Sequence, residues 1–327
     1  MDTDGAQGRE GEIETTDGHR WTQIGERVGK GGKTETTDGH RWTQIRHRVG
    51  RGELRPPKST DEPRPFLKWA GGKGQLLEQY GPLFPRRFGR YHEPFVGGGA
   101  VFFHLRPPRA TLSDDNGELV DCLIAVRDDL PAVIDALGRH VYDKDHYYAV
   151  RALSPDELPL AERAARTIYL NRTCFNGLYR VNSKGGFNVP FGRYSNPTIC
   201  DAPNLRACSR ALKRARIERA PFPAVLDRAR RGDFVYFDPP YHPLSKTAYF
   251  TAYAKGGFRE EDQRELARVY SELDRRGVLV MLSNSDTPLV RDIYRGFRIV
   301  RVQATRAINS KAARRGAITE LVVLNYR

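Results

Sequence analysis

The chain has 327 residues, 39% hydrophobic and 29% charged, with a formal net charge of +14 and a pI near 9.8. No apolar run approaches the roughly 18 residues a membrane span needs, and the polar, acidic first residues are no secretory signal. Cys122, Cys174, Cys200 and Cys208 form no CxxC pair; this argues against a zinc site or disulfide framework and for a reducing compartment, while the positive excess favours a polyanion partner, most commonly nucleic acid.

Residues 1 to about 60 are rich in Gly, Thr, Glu, Lys and Arg and poor in clustered aliphatics, so they are expected to form a disordered leader. Within them Glu14–Ile24 returns as Glu35–Ile45, a direct repeat too short for a solenoid. Pro56, Pro57, Pro63 and Pro65 mark the boundary to the folded body.

From there strands and helices alternate. Tyr91–Val96 reads as a strand, then a glycine turn, then a helix from about Ala100. Ala110–Ser113 is a second strand and Leu119–Val126 part of a helix. Phe234–Phe237 is a third strand. Glu260, Glu261 and Asp262 open a helix that Arg275, Arg276 and Gly277 close, in keeping with the helix dipole. Val278–Leu282, Phe297–Val302 and Ile318–Asn325 are the last strands. Such alternation specifies an α/β fold with a doubly wound, mainly parallel sheet.

Residues 127–230 break the pattern. Leu160, Ala164 and Ile168 share a helical face ending near Asn171. Asn182–Val189 carries the glycine turn of a β-hairpin, and a basic stretch follows with Arg206, Arg210, Lys213, Arg214 and Arg216. This segment is expected to be an inserted, mainly helical domain. Residues 61–126 and 231–327 then form the catalytic domain.

Asp238-Pro239-Pro240-Tyr241 follows the apolar Phe234–Phe237 run. It therefore falls at a strand's C-terminal end, where open α/β sheets bind ligands. Two prolines end the strand and stiffen the turn, leaving a carboxylate, outward carbonyls and an aromatic ring able to grip a planar amine. Glu93-Pro94-Phe95-Val96-Gly97-Gly98-Gly99 comes off the first strand, and its glycines admit a nucleoside-type ligand close to the backbone. The pyrophosphate fingerprint GxGxxG is missing, and Gly72-Lys73 is not a P-loop. Asp114, 17 residues beyond Gly97, caps the second strand as a ribose-binding acid would. A ribose without phosphates beside a sulfonium is S-adenosylmethionine. Trp69, flanked by Lys68 and Lys73, is suited to wall such a pocket, with a lysine pairing to its carboxylate.

These residues resemble the Dam-type family of DNA adenine-N6 methyltransferases, in the motif order that places the target-recognition insert before the catalytic strand. The similarity runs from about Phe66 to the C-terminus. Phe66–Lys73 resembles the family's opening motif, with Trp69 and Lys73 on cofactor-contacting positions. Phe95, Gly97 and Gly99 fall on its FxGxG element and Asp114 on the ribose acid. Asp238–Tyr241 is its catalytic DPPY, and Ser283-Asn284 matches a strand end found in many members.

The resemblance implies a methyltransferase-type mixed sheet, S-adenosylmethionine as cofactor and double-stranded DNA as partner, with neither metal nor membrane. It further implies a cytoplasmic monomer or weak dimer, with a cognate restriction endonuclease as the protein partner it allows. Asn171-Arg172, Phe175–Arg180 and Phe187–Tyr194 stand where the family reads DNA, often at GATC. By that resemblance Lys68, Arg180, Arg193 and Tyr194 are candidate DNA contacts. Leu178 and Pro190 are candidates for the groove, and Phe175 or Asn176 for the space left by an extruded base. Residues 305–311, with Arg314 and Arg315, resemble the family's C-terminal loop and, with 206–216, are expected to line the DNA cleft.

The expected reaction has the Asp238 carboxylate and Pro239 carbonyl accept both N6–H bonds of a flipped adenine stacked on Tyr241. A cytosine-N4, RNA-adenine or protein-glutamine methyltransferase is the first alternative. Asp238 and the DNA-type insert argue against it, because cytosine enzymes more often begin the tetrapeptide with Ser and glutamine enzymes with Asn. The second alternative is a catalytically silent DNA binder, which would have no use for Asp114 or Asp238.

Overall fold

A computed structural model describes residues 62–244, 258–305 and 317–327. The repeat-bearing leader and the basic residues Arg306, Lys311, Arg314 and Arg315 lie outside them.

Among the described residues, seven strands form one sheet in the order β3-β2-β1-β4-β5-β7-β6. They are β1 (Tyr91–Glu93), β2 (Ala110–Asp114), β3 (Ala215–Arg219), β4 (Phe234–Phe237), β5 (Leu279–Ser285), β6 (Arg298–Thr305) and β7 (Ala317–Leu324). The first five run parallel, and β7 is antiparallel to both β5 and β6. The chain winds outward from β1 through β2 to β3, then returns to β4 on the other side of β1. The switch point, where ligands bind in such sheets, is therefore between β1 and β4.

Strand β4 shows why the sheet is buried on both faces. Phe234 and Tyr236 belong to one apolar cluster, Val235 and Phe237 to the other, and all four are fully buried. Successive side chains point to opposite faces, so an unbroken apolar run suits a strand covered on both sides. The first strand is shorter than the Tyr91–Val96 expected from sequence because Pro94 donates no ladder hydrogen bond; Val96 N bonds to Ser113 O at 3.0 Å.

The helices are α1 (Leu77–Tyr80), α2 (Ala100–Leu105), α3 (Gly117–Asp128), α4 (Leu130–Gly138), α5 (Lys144–Ala152), α6 (Leu160–Thr173), α7 (Ala202–Leu212), α8 (Val225–Arg228), α9 (Glu260–Arg275) and α10 (Pro288–Ile293). Side-chain caps start several of them: Asn116 accepts from Leu119 N, Asp143 from His146 N and Asp201 from Asn204 N. Helix α9 carries three acids in its first turn and Arg275 in its last, as its sequence anticipates.

Two expectations for residues 127–230 change. Ala215–Arg219, assigned by sequence to the insert, pairs with β2 as the edge strand of the main sheet. Its alternation of buried and exposed residues is that of an edge strand, and a short basic ARIER run gives little apolar signal for one. The expected hairpin is reduced to a single Val181–Phe187 bridge. Asn182 N bonds to Gly186 O at 2.9 Å and Asn188 N to Arg180 O at 3.0 Å, but Pro190 cannot extend the ladder. Helices α4 and α5 both pack on α6, and α6 and α7 both rest on α3.

At the opposite edge the Gln79 side chain donates to Gln303 O at 2.8 Å and accepts from Gln303 N at 2.9 Å. It thereby holds both backbone polar groups of that β6 residue.

Candidate active site and nucleic-acid interface

The carboxyl ends of β1 and β4 open into a cavity of about 510 Å³. Trp69, Lys73, Phe95, Gly97, Gly99, Asp114 and the whole Asp238–Tyr241 turn line it. Segments more than 160 residues apart in sequence therefore meet around one space.

Asp238 is held on both carboxylate oxygens. Lys73 Nζ lies 2.8 Å from Oδ2, and Ser283 Oγ donates to Oδ1 at 2.8 Å. Lys73 is 4% exposed, also donates to Gly71 O at 2.5 Å, and lies 4.8 Å from the centre of the Tyr241 ring. Tyr241 OH donates to Glu320 Oε2 at 2.8 Å, and burial pushes the Glu320 carboxyl up. A second set of bonds braces the proline turn: Gln263 Nε2 donates to Pro240 O at 3.0 Å and Asn284 Nδ2 to Gln263 Oε1 at 2.9 Å, while Asn284 Oδ1 accepts from His242 N. Both amides are fully buried, so their hydrogen bonds would be costly to lose.

At the glycine turn, Gly97 N donates to Asp114 Oδ2 at 3.0 Å and Asn116 N to Oδ1 at 3.0 Å. Burial raises the Asp114 carboxyl, and the fully buried Glu93, which accepts from Tyr91 OH at 2.9 Å, is raised well above the carboxylate range. Gly97 has φ +48°, and a Cβ there would lie 2.9 Å from Trp69 Cδ1. Only glycine meets both demands without strain. Phe95 stacks on Phe222 at 5.4 Å and meets Phe258 edge-on at 5.8 Å.

The residues of the recognition stretch gather beside this cavity. Lys68 N donates to Asn171 Oδ1 at 2.7 Å and Asn171 Nδ2 returns a bond to Lys68 O at 2.8 Å, clasping the opening motif to the end of α6. Lys68 Nζ lies 4.7 Å from the centre of the Tyr194 ring, whose hydroxyl donates to Cys174 O at 2.9 Å. Phe175 N bonds to Pro190 O at 2.9 Å. Phe175, Asn176, Pro190 and Arg193 are exposed and Leu178 half-buried. Arg180 is exposed but occupied, donating to Asn188 Oδ1 at 2.6 Å and Asn188 O at 3.1 Å.

Tyr179 joins the two regions. Its ring lies 5.0 Å from that of Trp69 and its hydroxyl donates to Glu118 Oε1 at 3.2 Å. Glu118 Oε2 also accepts from Thr167 Oγ1 at 3.1 Å and from the buried Arg166 at 3.4 Å. One carboxylate thus ties α3, α6 and the recognition loop together. Not every basic stretch joins this face: Arg216 lies on β3 toward the opposite end of the sheet.

Residues 69–308 match the family of D12 class N6 adenine-specific DNA methyltransferases. The chain belongs to this family. The methyltransferase is 45% identical over 271 residues to a type II methyltransferase of Lactococcus lactis subsp. cremoris, spanning 80% of this chain and 95% of the relative. It is 42% identical over 288 residues to a type II methyltransferase of Methanocaldococcus jannaschii, spanning 81% and 100%. It is 36% identical over 265 residues to the DNA adenine methylase of Escherichia coli K12, spanning 80% and 95%. It is an adenine-specific DNA methyltransferase of the Dam type, with DNA as the substrate its family implies and S-adenosylmethionine as the family's general methyl donor. Among the described residues no helix is long and apolar enough to cross a membrane.

Sequence reasoning passed over Glu118, Gln263, Glu320, Phe222 and Phe258. Glu320 had a readable signal, as the one acid in the apolar strand Ala317–Leu324. Gln263 sits on the apolar face of α9. The two phenylalanines belong to no motif, and only the fold brings them to Phe95.

Proposed function

We propose that the enzyme binds S-adenosylmethionine in the cavity between β1 and β4 and methylates N6 of an adenine flipped out of duplex DNA, within GATC. The observation that carries this reading is the convergence of Asp238–Tyr241 with the glycine turn and Asp114 on one cavity of about 510 Å³, a volume in the range of small-molecule sites.

The residues fit the cofactor. Asp114 retains acceptor capacity for ribose hydroxyls beyond its two backbone bonds. Trp69 and the side-chain-free turn leave a flat apolar wall, and the acidic Asp114 and Asp238 favour a cation. When bound, S-adenosylmethionine supplies an electrophilic methyl group. The chain's own task is to present the amine: Asp238 and the Pro239 carbonyl accept its two N–H bonds and hold the nitrogen lone pair outward, and Tyr241 stacks on the base. Lys73 holds Asp238 Oδ2 at 2.8 Å, so the incoming amine takes over or shares that oxygen. Ser283 and the Gln263–Asn284 pair keep the turn rigid throughout.

On the DNA side, Lys68, Arg193 and Tyr194 contact the target, Leu178 and Pro190 enter the groove, and Phe175 or Asn176 fills the vacated space. Arg180 reads or anchors DNA from its Asn188 brace. We place the enzyme in the cytoplasm of a bacterium or phage-infected host, as a monomer or weak dimer, with a restriction endonuclease as its functional counterpart. Expression in a host free of adenine methylation tests the reading. Its DNA should become resistant to enzymes blocked by GATC methylation, and unprotected DNA from cells making folded protein would refute the GATC assignment.

A further inference from the structure

The sheet has a second concave site at the end remote from Asp238. Asp233 and Asp238 flank the four residues of β4, so they lie about 16 Å apart along an extended chain. Around Asp233 is a cavity of about 750 Å³ at the amino ends of β1, β2, β3 and β4. Five arginines line it: Arg90, Arg109, Arg216, Arg228 and Arg230.

Its acids are already committed. Asp233 accepts from Arg90 N at 2.8 Å, Arg230 N at 2.9 Å and, at 3.1 Å, from His92 Nε2. Glu218 pairs with both Arg216 and Arg228. Arg230 donates to the backbone oxygens of Asp227 and Ala229. Counting Asp227, Asp233 and Glu218, three carboxylates face five guanidiniums. The excess resides in Arg90 and Arg109, both exposed, whose guanidiniums have no hydrogen-bond or ion-pair partner among the described residues. The basic lining continues into the exposed Lys213 and Arg214, since Arg214 O accepts from Ala110 N at 3.2 Å, next to Arg109. Behind these arginines His92, 1% exposed, gives its Nε2–H to Asp233 and so adds no donor for an anion.

Such a site asks for phosphate oxygens. Arginine forks match phosphate bidentately, and a concave wall with bound acids behind it concentrates the positive field outward. We propose that this cavity is a second phosphate-binding site, separate from the methyl-transfer pocket, with Arg90 and Arg109 as its principal ligands. The phosphate comes either from a free polyphosphate compound or from the backbone of a second DNA segment.

The experiment uses the full chain and the pair Arg90→Glu with Arg109→Glu, backed by the milder pair Arg90→Gln with Arg109→Gln should the first fail to fold by circular dichroism. Inorganic triphosphate is titrated by calorimetry, and long duplex DNA is bound across a salt series. Methyl transfer on a duplex of about two turns, ~20 base pairs, is expected to be unchanged. Triphosphate binding weakened at least tenfold with an unchanged salt slope supports a free polyphosphate. A salt slope reduced by about two on long DNA supports a second DNA segment. If the folded variants match wild type in triphosphate binding and in salt slope, the site is overturned.

Discussion

The proposed methyl-transfer pocket and the proposed recognition loop are neighbours built on opposite principles. Lys73, Ser283, Gln263 and Asn284 are buried behind the pocket, and the last three brace its proline turn. The loop keeps Phe175, Pro190 and Arg193 exposed, and its order comes from backbone bonds and from clasps such as Lys68–Asn171. Chemistry on one atom demands groups fixed before substrate arrives. Reading a duplex demands side chains that reach outward, with the scaffold rather than the tips held still. The two regions touch through Tyr179, between Trp69 and Glu118.

That contrast can be broken in steps. The largest effect is expected from Asp238→Ala, with single-turnover methyl transfer falling on the order of 10³-fold while DNA affinity stays within a few-fold. Equal losses in both would show that pocket and loop are not separable. Glu118→Ala should come next, because it strands the buried Arg166. A loss of about 3–5 kcal/mol in denaturant-derived stability is expected, and Glu118→Gln should keep more of it. Gly97→Ala should weaken S-adenosylmethionine binding by ~1–3 kcal/mol through the strained φ and the clash with Trp69. DNA affinity without cofactor should not change, as calorimetry and gel shift would read.

Arg193→Ala acts on the loop alone. It should cost about 1–3 kcal/mol of discrimination, measured as the ratio of methylation rates on cognate and single-mismatch duplexes. Arg180→Ala should cost less, because part of its hydrogen bonding is spent on Asn188. The smallest effect is pH-dependent and belongs to the insert. Burial, then His146 at 3.0 Å, lowers His140 to about 4. The unfolded chain binds a proton between pH 6.5 and 4 that the folded chain refuses, so stability falls on acidification across that window. Protection factors in α4 and α5, taken relative to the intrinsic exchange rate at each pH, should be lower at pH 5 than at pH 7. His140→Phe should flatten that difference while keeping the stack on Tyr169.

How legible each region was follows from the same contrast. The pocket is written in contiguous runs: a buried strand, two prolines and an acid at one end, glycines at the other, each with a local physical meaning. Strand β4 was found to the residue. The loop was readable only through resemblance, because exposed residues on irregular backbone carry no periodicity. Edge strand β3 was absorbed into the insert since its only core-facing residues are Ala215 and Ile217. Glu118 and Phe222 act through neighbours distant in sequence, and no local pattern marks such a partner.

The Gln79 amide has one more consequence. By meeting both the donor and the acceptor of Gln303, it imitates a passing strand for a single residue at the rim of β6. Another chain seeking to add itself there would find its central docking point taken and would have to evict a side chain first. At that rim, a single glutamine denies an added strand the backbone donor and acceptor of Gln303.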